Sequence, residues 1–212
     1  MVVSQTEFSM SPNRPRPSKY KHNDLFRPDP GRPFLNACVG TNGGPYNLQD
    51  YSMGYFRAGE RLVRSILQDS TLLDLNIYPL VFTYRHAIEL GLKSLAQILP
   101  RMQSQNSSAK LTHKLLDNWA VVRGYLEQGS ELDHDPIESV DRILKDFVEI
   151  DPSGEAFRFP HARDGAPFLQ ESSHINIAVF AEAMKHVQEA LEYWQEAALE
   201  ILQTRAEAGD AG

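Results

Sequence analysis

The sequence predicts an all-α fold: an up-and-down bundle of about five helices with a long C-terminal helix and an irregular, Pro/Arg-rich N-terminal arm. Three observations carry this prediction. Apolar residues recur three and four positions apart in five segments, no segment reads as a convincing strand, and the first 47 residues are rich in Pro, Arg, Asn and Gly. We divide the chain into an arm (1–47), a helical bundle (48–207) and a tail (208–212).

Composition and charge narrow the class of protein. The 212 residues are 42% hydrophobic, and the single Cys38 excludes an intramolecular disulfide framework or a Cys-based zinc cluster. No secretory leader and no membrane-length apolar run is present, so we expect a soluble cytoplasmic protein without a membrane partner. Residues 1–33 carry six basic and three acidic side chains, so this segment is +3 and the rest is −10 of the total −7. A +3 arm suits a polyanion, an acidic protein partner or plain solvation.

The first three helices are predicted from caps and apolar stripes. Asn47 or Asp50 caps a helix that runs to about Gln68, whose predicted buried stripe is Tyr55, Phe56, Leu62, Val63 and Ile66. The central helix runs from about Leu73 to Leu99, with a kink expected at Pro79 and an end at Pro100. A third helix, capped by Thr112, runs to about Gln128.

Two further helices flank a long loop. Asp135-Pro136 opens a fourth helix that runs to about Ile150, since Asp caps and Pro suits the first helical position. Residues 151–173 form an irregular segment that we expect Phe157 and Phe159 to pin onto the bundle. The last helix, of about 30 residues, has a four-heptad seam made of Ile177, Phe180, Met184, Val187, Leu191, Trp194, Ala198 and Ile201.

The central helix carries the candidate site. It is apolar on nearly every face, yet it contains Arg85, His86, Glu89 and Lys93, and ionised side chains are rarely buried unless they are paired. Arg85 and Glu89 are four positions apart and can pair on one face. Two interpretations stay open: a structural ion pair that fixes helix register, or an Arg85 fork that holds a phosphate while Glu89 orients it.

Two histidines and a loop arginine complete the candidate set. His86 is either a satisfied core residue or an acid/base, and His113 opens the third helix, where it could face Arg85 and His86. Two imidazoles near an arginine suit metal-independent RNA cleavage, in which a base takes the 2′-OH proton. Arg158 either clamps its loop to a carboxylate, Glu89 or Asp151, or contacts a phosphate.

Other chemistries find less support in the sequence. Asp133-His134-Asp135 has metal-compatible residue types, but a turn and a helix cap explain it better, so we predict neither a metal site nor a cofactor. The chain contains no P-loop, no Gly-rich dinucleotide fingerprint, no nucleophile elbow and no His-Glu-x-x-His sequence. These absences argue against nucleotide hydrolysis, hydride transfer and zinc-dependent hydrolysis.

Three segments together resemble the HEPN superfamily. They are Tyr84-Arg85-His86-Ala87-Ile88-Glu89-Leu90-Gly91-Leu92-Lys93, then Thr112-His113-Lys114-Leu115-Leu116, then Asp151-Pro152 followed by Phe157-Arg158-Phe159-Pro160. The resemblance covers about residues 50–205. Within the superfamily, the chain is similar to a prokaryotic branch with an Arg-His-Ala-x-Glu-Leu-x-Leu-Lys helix. The RNases of the superfamily carry an Arg followed by a His with four to six residues between them, and no Arg–His pair in residues 48–207 has that spacing.

The resemblance implies a function as well as a fold. It implies a homodimeric bundle that binds RNA or a nucleotide and acts in bacterial defence or toxin–antitoxin systems. A protein partner is also compatible with the resemblance. As an enzyme it would be a metal-independent endoribonuclease, with His86 or His113 as the acid/base. Arg85, Lys93 and Arg158 would lie near the phosphate, and Glu89 would orient Arg85. The alternative is a noncatalytic assembly or regulatory subunit whose Arg/Glu/His cluster is structural.

Overall fold

A computed structural model describes residues 24–40, 42–103, 111–129, 131–171 and 174–210. Within these residues the chain forms five α-helices and no strand, as the sequence predicts. The helices are α1 (Leu48–Gln68), α2 (Leu73–Met102), α3 (Leu115–Gln128), α4 (Asp135–Ile150) and α5 (Ile177–Asp210). Short 3-10 helices occur at Pro33–Leu35 and Ser70–Leu72.

The chain divides into two compact units, Met1–Gly44 and Pro45–Gly212. The described part of the first unit is irregular except for its 3-10 helix. Asp29 organises this segment, because its carboxylate accepts hydrogen bonds from the backbone N–H of Gly31 and from Nε of Arg32. The basic residues Arg14, Arg16, Lys19 and Lys21 of the predicted arm lie outside the described residues.

Helix α1 begins with the predicted cap. The side chain of Asn47 accepts hydrogen bonds from the N–H groups of Gln49 and Asp50, and Asp50 accepts one from the N–H of Asn47 in return. Phe56, Val63 and Ile66 are buried as predicted, but Tyr55 is 37% exposed, so its assignment to the buried stripe is wrong. Its ring contacts the His86 ring of α2 instead of packing in the core, as described below.

Helix α2 lies at the centre of the bundle and packs against α1, α3 and α5. Its contact with α1 is close: a Cβ atom on Gly59 would lie 2.7 Å from the Tyr84 ring, and Ser52 Oγ donates a hydrogen bond to the carbonyl of Ala87. The predicted end at Pro100 is wrong by two residues. Pro100 is buried inside the last turn, where packing of that turn outweighs the backbone hydrogen bond that proline cannot donate.

Helix α3 begins later than predicted. Thr112 does not cap it; instead its N–H and C=O bind the Asn118 side-chain amide, and its hydroxyl accepts from the N–H of Lys114. These hydrogen bonds hold residues 112–114 as a turn, so the helix starts at Leu115. His113 consequently lies in the connection before α3 and not in its first turn, which corrects the prediction.

Helices α3, α4 and α5 enclose a tryptophan pair. Trp119 and Trp194 stack with ring centroids 5.9 Å apart, and each indole N–H donates a hydrogen bond, to Asp141 and to the carbonyl of Asp133 respectively. Asp141 also pairs with Arg123 at 2.9 Å, which ties α3 to α4. The predicted seam of α5 is confirmed, since its central members Met184, Val187, Leu191, Trp194 and Ala198 are all buried.

The described residues between α4 and α5, 151–171 and 174–176, are irregular, as predicted, apart from a single bridge between His161 and Pro167. Phe157 is buried against the bundle, but Phe159 is 48% exposed, so the prediction that both rings pin the loop is half right. Within the described residues no helix is both long and apolar enough to cross a membrane.

Candidate functional site

One stripe of α2 carries most of the residues singled out in the sequence. Phe82, His86, Glu89 and Lys93 are spaced four, three and four apart, so they lie on one helix face over about 16 Å. We call these four residues the α2 strip. Phe82, His86 and Lys93 are partly exposed, whereas Glu89 is buried.

Glu89 is the hub of the ionic contacts. Its Oε1 atom accepts hydrogen bonds from Lys93 Nζ at 2.7 Å and from His113 Nδ1 at 2.9 Å, and its Oε2 atom lies 3.6 Å from Nη1 of Arg85. Burial alone would raise the pKa of Glu89, but the hydrogen bonds from Lys93 and His113 outweigh burial, and the pKa lies below its ordinary value. Glu89 is therefore held as a carboxylate.

Arg85 is buried behind Glu89, with 5% of its surface exposed. Its Nη2 donates to the carbonyl of His113 at 3.4 Å, and its Nε lies 3.4 Å from Oδ2 of Asp151. We call Arg85, Glu89 and Asp151 the buried clamp. Among the buried side-chain atoms that the structure describes, Arg85 Nε is the one without a hydrogen-bond partner, so its contact with Asp151 is an ion pair of poor hydrogen-bond geometry.

Gly154 is a member of the site that the sequence did not assign, and Asp151, predicted as a possible partner of Arg158, is instead a partner of Arg85. Asp151 accepts the N–H of Ala156 at 3.0 Å while facing Arg85, so it ties the loop after α4 to α2. Gly154, at φ +78°, lies directly on the guanidinium, and a Cβ atom there would be 2.6 Å from Cζ of Arg85. The signal available in the sequence was a predicted buried arginine with one carboxylate, Glu89, within a helical turn of it, which indicated that a second acid from elsewhere in the chain would be needed.

His113 is the exposed member of the site. Its Nδ1 is bound to buried Glu89, yet 91% of the side chain is exposed, so the opposite ring edge with Nε2 faces solvent. A carboxylate at Nδ1 requires that nitrogen to be the donor, which leaves Nε2 of the neutral ring unprotonated. This arrangement of carboxylate and imidazole is the one that orients a histidine for proton transfer.

His86 lies between aromatic rings on the α2 strip. It stacks on Phe82 with centroids 6.2 Å apart, and the ring of Tyr55 meets it edge-on at 4.5 Å. Burial lowers the pKa of His86, the charges of Lys93 and Arg85 lower it further, and Glu89 opposes the shift. A lowered pKa favours a neutral ring at neutral pH.

Arg158 does not form the predicted carboxylate clamp. Its guanidinium lies over the rings of Phe82 and Phe159, 5.3 and 5.2 Å from their centroids, and Asp151 is taken by Arg85. The rings hold this arginine at the Phe82 end of the α2 strip. The structure thus gathers His86, His113, Lys93 and Arg158 along one face, above the buried clamp.

The described residues contain no group of three or more metal-ligating side chains. In the segment Asp133-His134-Asp135, His134 Nε2 bonds to the carbonyl of Gly129 and Asp133 accepts from the N–H of Asp135, so both residues are occupied in a turn.

No protein-family model, curated protein or solved structure matches this chain. The resemblance to the HEPN superfamily therefore depends on the residues named above.

Proposed function

We propose that this chain is a HEPN-like protein that binds RNA along the α2 strip and cleaves it without a metal ion, using His113 as the general base. One observation carries the proposal: an exposed imidazole whose Nδ1 is fixed by a buried carboxylate at 2.9 Å. In this reaction Nε2 of His113 takes the proton of the ribose 2′-OH, and the 2′ oxygen attacks the adjacent phosphate. The resulting imidazolium can return a proton to the leaving oxygen.

The surroundings of His113 suit a single RNA strand. Proteins bind single strands by combining cations along the backbone with aromatic faces for the bases. The α2 strip supplies Phe82 and His86 as stacked rings, and Lys93 and Arg158 lie at its two ends. We assign stacking, and not acid catalysis, to His86, because its lowered pKa disfavours the protonated form that an acid needs.

Arg85 has a positioning role in this proposal. Its guanidinium lies beneath Gly154 and is surrounded by Glu89, Asp151 and the carbonyl of His113, so a phosphate in solvent does not reach it. Through its contacts with Glu89 and the His113 backbone it fixes both partners of the proton-transfer pair. The sequence-based assignment of Arg85 to a bound phosphate is the part of the hypothesis that this geometry favours least.

The proposal is tested by incubating the purified protein with single-stranded RNA and mixed tRNA in excess EDTA. Wild type should cut, and His113→Ala should cut about 10²- to 10⁴-fold more slowly, the usual range for losing an acid/base. His186→Ala is the matched control, since His186 is also exposed but bonds to Ser139 on α4. Circular dichroism shows whether each variant is folded. Equal rates for wild type and His113→Ala would overturn the catalytic assignment.

A second candidate is a noncatalytic assembly or regulatory subunit. The observation that favours it is the burial and mutual pairing of Arg85, Glu89 and Asp151, which is how a structural ion cluster looks. Neither of two cavities in the bundle is lined by these residues. In that case wild type cuts no RNA, and Glu89→Gln loses stability without any change in RNA binding.

The biological setting follows from the resemblance and is proposed with it. As a homodimer, the protein would sediment at twice the monomer mass of 23.9 kDa across a range of concentrations. As a defence or toxin component, wild type would arrest growth of a bacterial host on induction, whereas His113→Ala would not. Growth arrest by both proteins, or by neither, would contradict that setting.

A further inference from the structure

A cavity of about 670 Å³ lies between the first two turns of α2 and the loop 156–169, with Ile175 and His174 at its edge. Its volume falls within the range of small-molecule sites, which are mostly apolar and carry a few convergent polar groups. Here the polar groups are Asp74, Tyr78, Arg158 and His174. The proposed RNA-cleaving residue, His113, does not line the cavity.

Aromatic rings form much of the cavity wall. Tyr78 on α2 and Phe157 on the loop have centroids 6.3 Å apart, and Phe159 and Phe168 add two further rings. Tyr78 and Phe159 are 44% and 48% exposed, although large aromatic side chains usually bury most of their surface. The half-open rings present flat apolar faces to whatever enters.

Arg158 brings a positive charge to these rings, and among the described residues it forms no ion pair, although Asp74 lines the same cavity. Its guanidinium is held over the rings of Phe82 and Phe159, and among the described residues no carboxylate lies within ion-pair distance of it. A planar guanidinium offers paired N–H donors that match a carboxylate or a phosphate. Because the rings already restrict its motion, little further entropy is lost when an anion binds.

The loop that lines the cavity contains one residue other than glycine with a positive φ angle. Leu169, which lines the cavity, has φ of +58°, a left-handed conformation that is unfavourable for an L residue. Such conformations persist where surrounding structure determines them, and they concentrate at ligand sites. At Leu169 it is part of a preformed cavity wall.

We propose that this cavity binds a small planar aromatic anion, with the ring against Tyr78, Phe157 and Phe159 and the anionic group on Arg158. The shared chemistry is an aromatic plane joined to a carboxylate or a phosphate. The inference goes beyond the proposed RNA cleavage, since it needs neither an RNA strand nor His113.

The test is isothermal titration calorimetry of the full chain with two probe series: nucleoside monophosphates for the phosphate, and indolecarboxylic and benzoic acids for the carboxylate. Nucleosides and indole serve as neutral counterparts. One anionic series should bind with Kd below about 1 mM. Arg158→Ala should weaken that binding about ten- to a hundredfold. Arg158→Lys should be intermediate, and Phe159→Ala should also weaken it.

Arg101→Ala is the matched control, because Arg101 is an exposed arginine at the opposite end of α2. It should bind as wild type does, and so should His113→Ala, which separates this inference from the proposed cleavage. The inference is overturned if neither anionic series binds, if the neutral counterparts bind as tightly, or if Arg101→Ala weakens binding as much as Arg158→Ala.

Discussion

Oε1 of Glu89 lies 2.9 Å from Nδ1 of His113, although the Glu89 side chain is 7% exposed and that of His113 is 91% exposed. One hydrogen bond thus joins a buried carboxylate to an imidazole in solvent. The carboxylate is itself fixed by Lys93 and by buried Arg85. The clamp inside the bundle consequently determines the orientation of a group on its surface.

Removing the carboxylate should destabilise the fold. Glu89→Ala leaves buried Arg85 with the poorly aligned Asp151 as its one remaining carboxylate partner, and breaking a buried ion pair in this way costs about 3 kcal/mol or more. Urea denaturation monitored by circular dichroism measures the free energy of unfolding. Glu138→Ala removes an exposed partner of Arg123 and should change that free energy by no more than about 1 kcal/mol. Equal effects of the two variants would show that the clamp does not stabilise the bundle.

Gly154 should tolerate a methyl group far less than Gly165. Both glycines have left-handed φ angles, +78° and +88°, so alanine is strained at either position. Only at Gly154 would the added Cβ meet Arg85, at 2.6 Å, whereas nothing lies within 4 Å of a Cβ at Gly165. We expect Gly154→Ala to cost about 1–3 kcal/mol more than Gly165→Ala. A comparison of thermal midpoints decides it, and matching midpoints would mean that the loop is not seated on the guanidinium.

The clamp should weaken in acid. The pKa of Glu89 is below its ordinary value of 4.5 in the folded chain, so the unfolded chain binds the proton more readily. The stabilisation is therefore fully present above pH 4.5 and is lost as pH falls through the lower folded value. Burial alone would raise the pKa of Asp141, but hydrogen bonds from Lys145, Trp119 and Arg123 outweigh burial and lower the pKa to about 2, so Asp141 contributes to the same loss of stability at low pH. The stability difference between wild type and Glu89→Gln isolates Glu89, and it should shrink below pH 4.5; a constant difference would exclude this linkage.

Arg158 should contribute to RNA affinity through the phosphate backbone. For single strands, each neutralised phosphate adds about 0.7 to the slope of log K against log salt. We expect Arg158→Ala to lower that slope by about this amount in fluorescence-anisotropy titrations with an uncleavable 2′-O-methyl strand. Arg101→Ala should leave the slope as in wild type. An unchanged slope for Arg158→Ala would place the strand elsewhere on the surface.

Local patterns were sufficient to predict most of the bundle. The seam of α5 is encoded within one helix and is confirmed. Helix α4 begins at Asp135 as predicted, but the assignment of Asp135 as its cap is wrong, because His134 occupies the cap position and its side chain makes no capping hydrogen bond. The start of α3 was not predictable in this way, because the Asn118 amide captures the backbone of Thr112 and forms a turn in place of a helix cap. That competition is decided by geometry rather than by propensity.

The candidate site was predictable only in part for the same reason. The Arg85–Glu89 pair follows from a spacing of four on one helix. Two other contacts join α2 to a loop far along the chain: the pairing of Arg85 with Asp151, and the packing of Gly154 against the guanidinium of Arg85. No helical period encodes a contact of that kind.

The most direct test concerns the protonation of His113 itself. Long-range nitrogen–proton NMR spectra, recorded about two pH units above the ordinary histidine pKa of about 6.5, identify which ring nitrogen carries the proton. We expect His113 to be the Nδ1–H tautomer in wild type and to become mixed in Glu89→Gln. A predominantly Nε2–H ring in wild type would contradict the account, because Nε2 could not then accept a proton from a bound RNA.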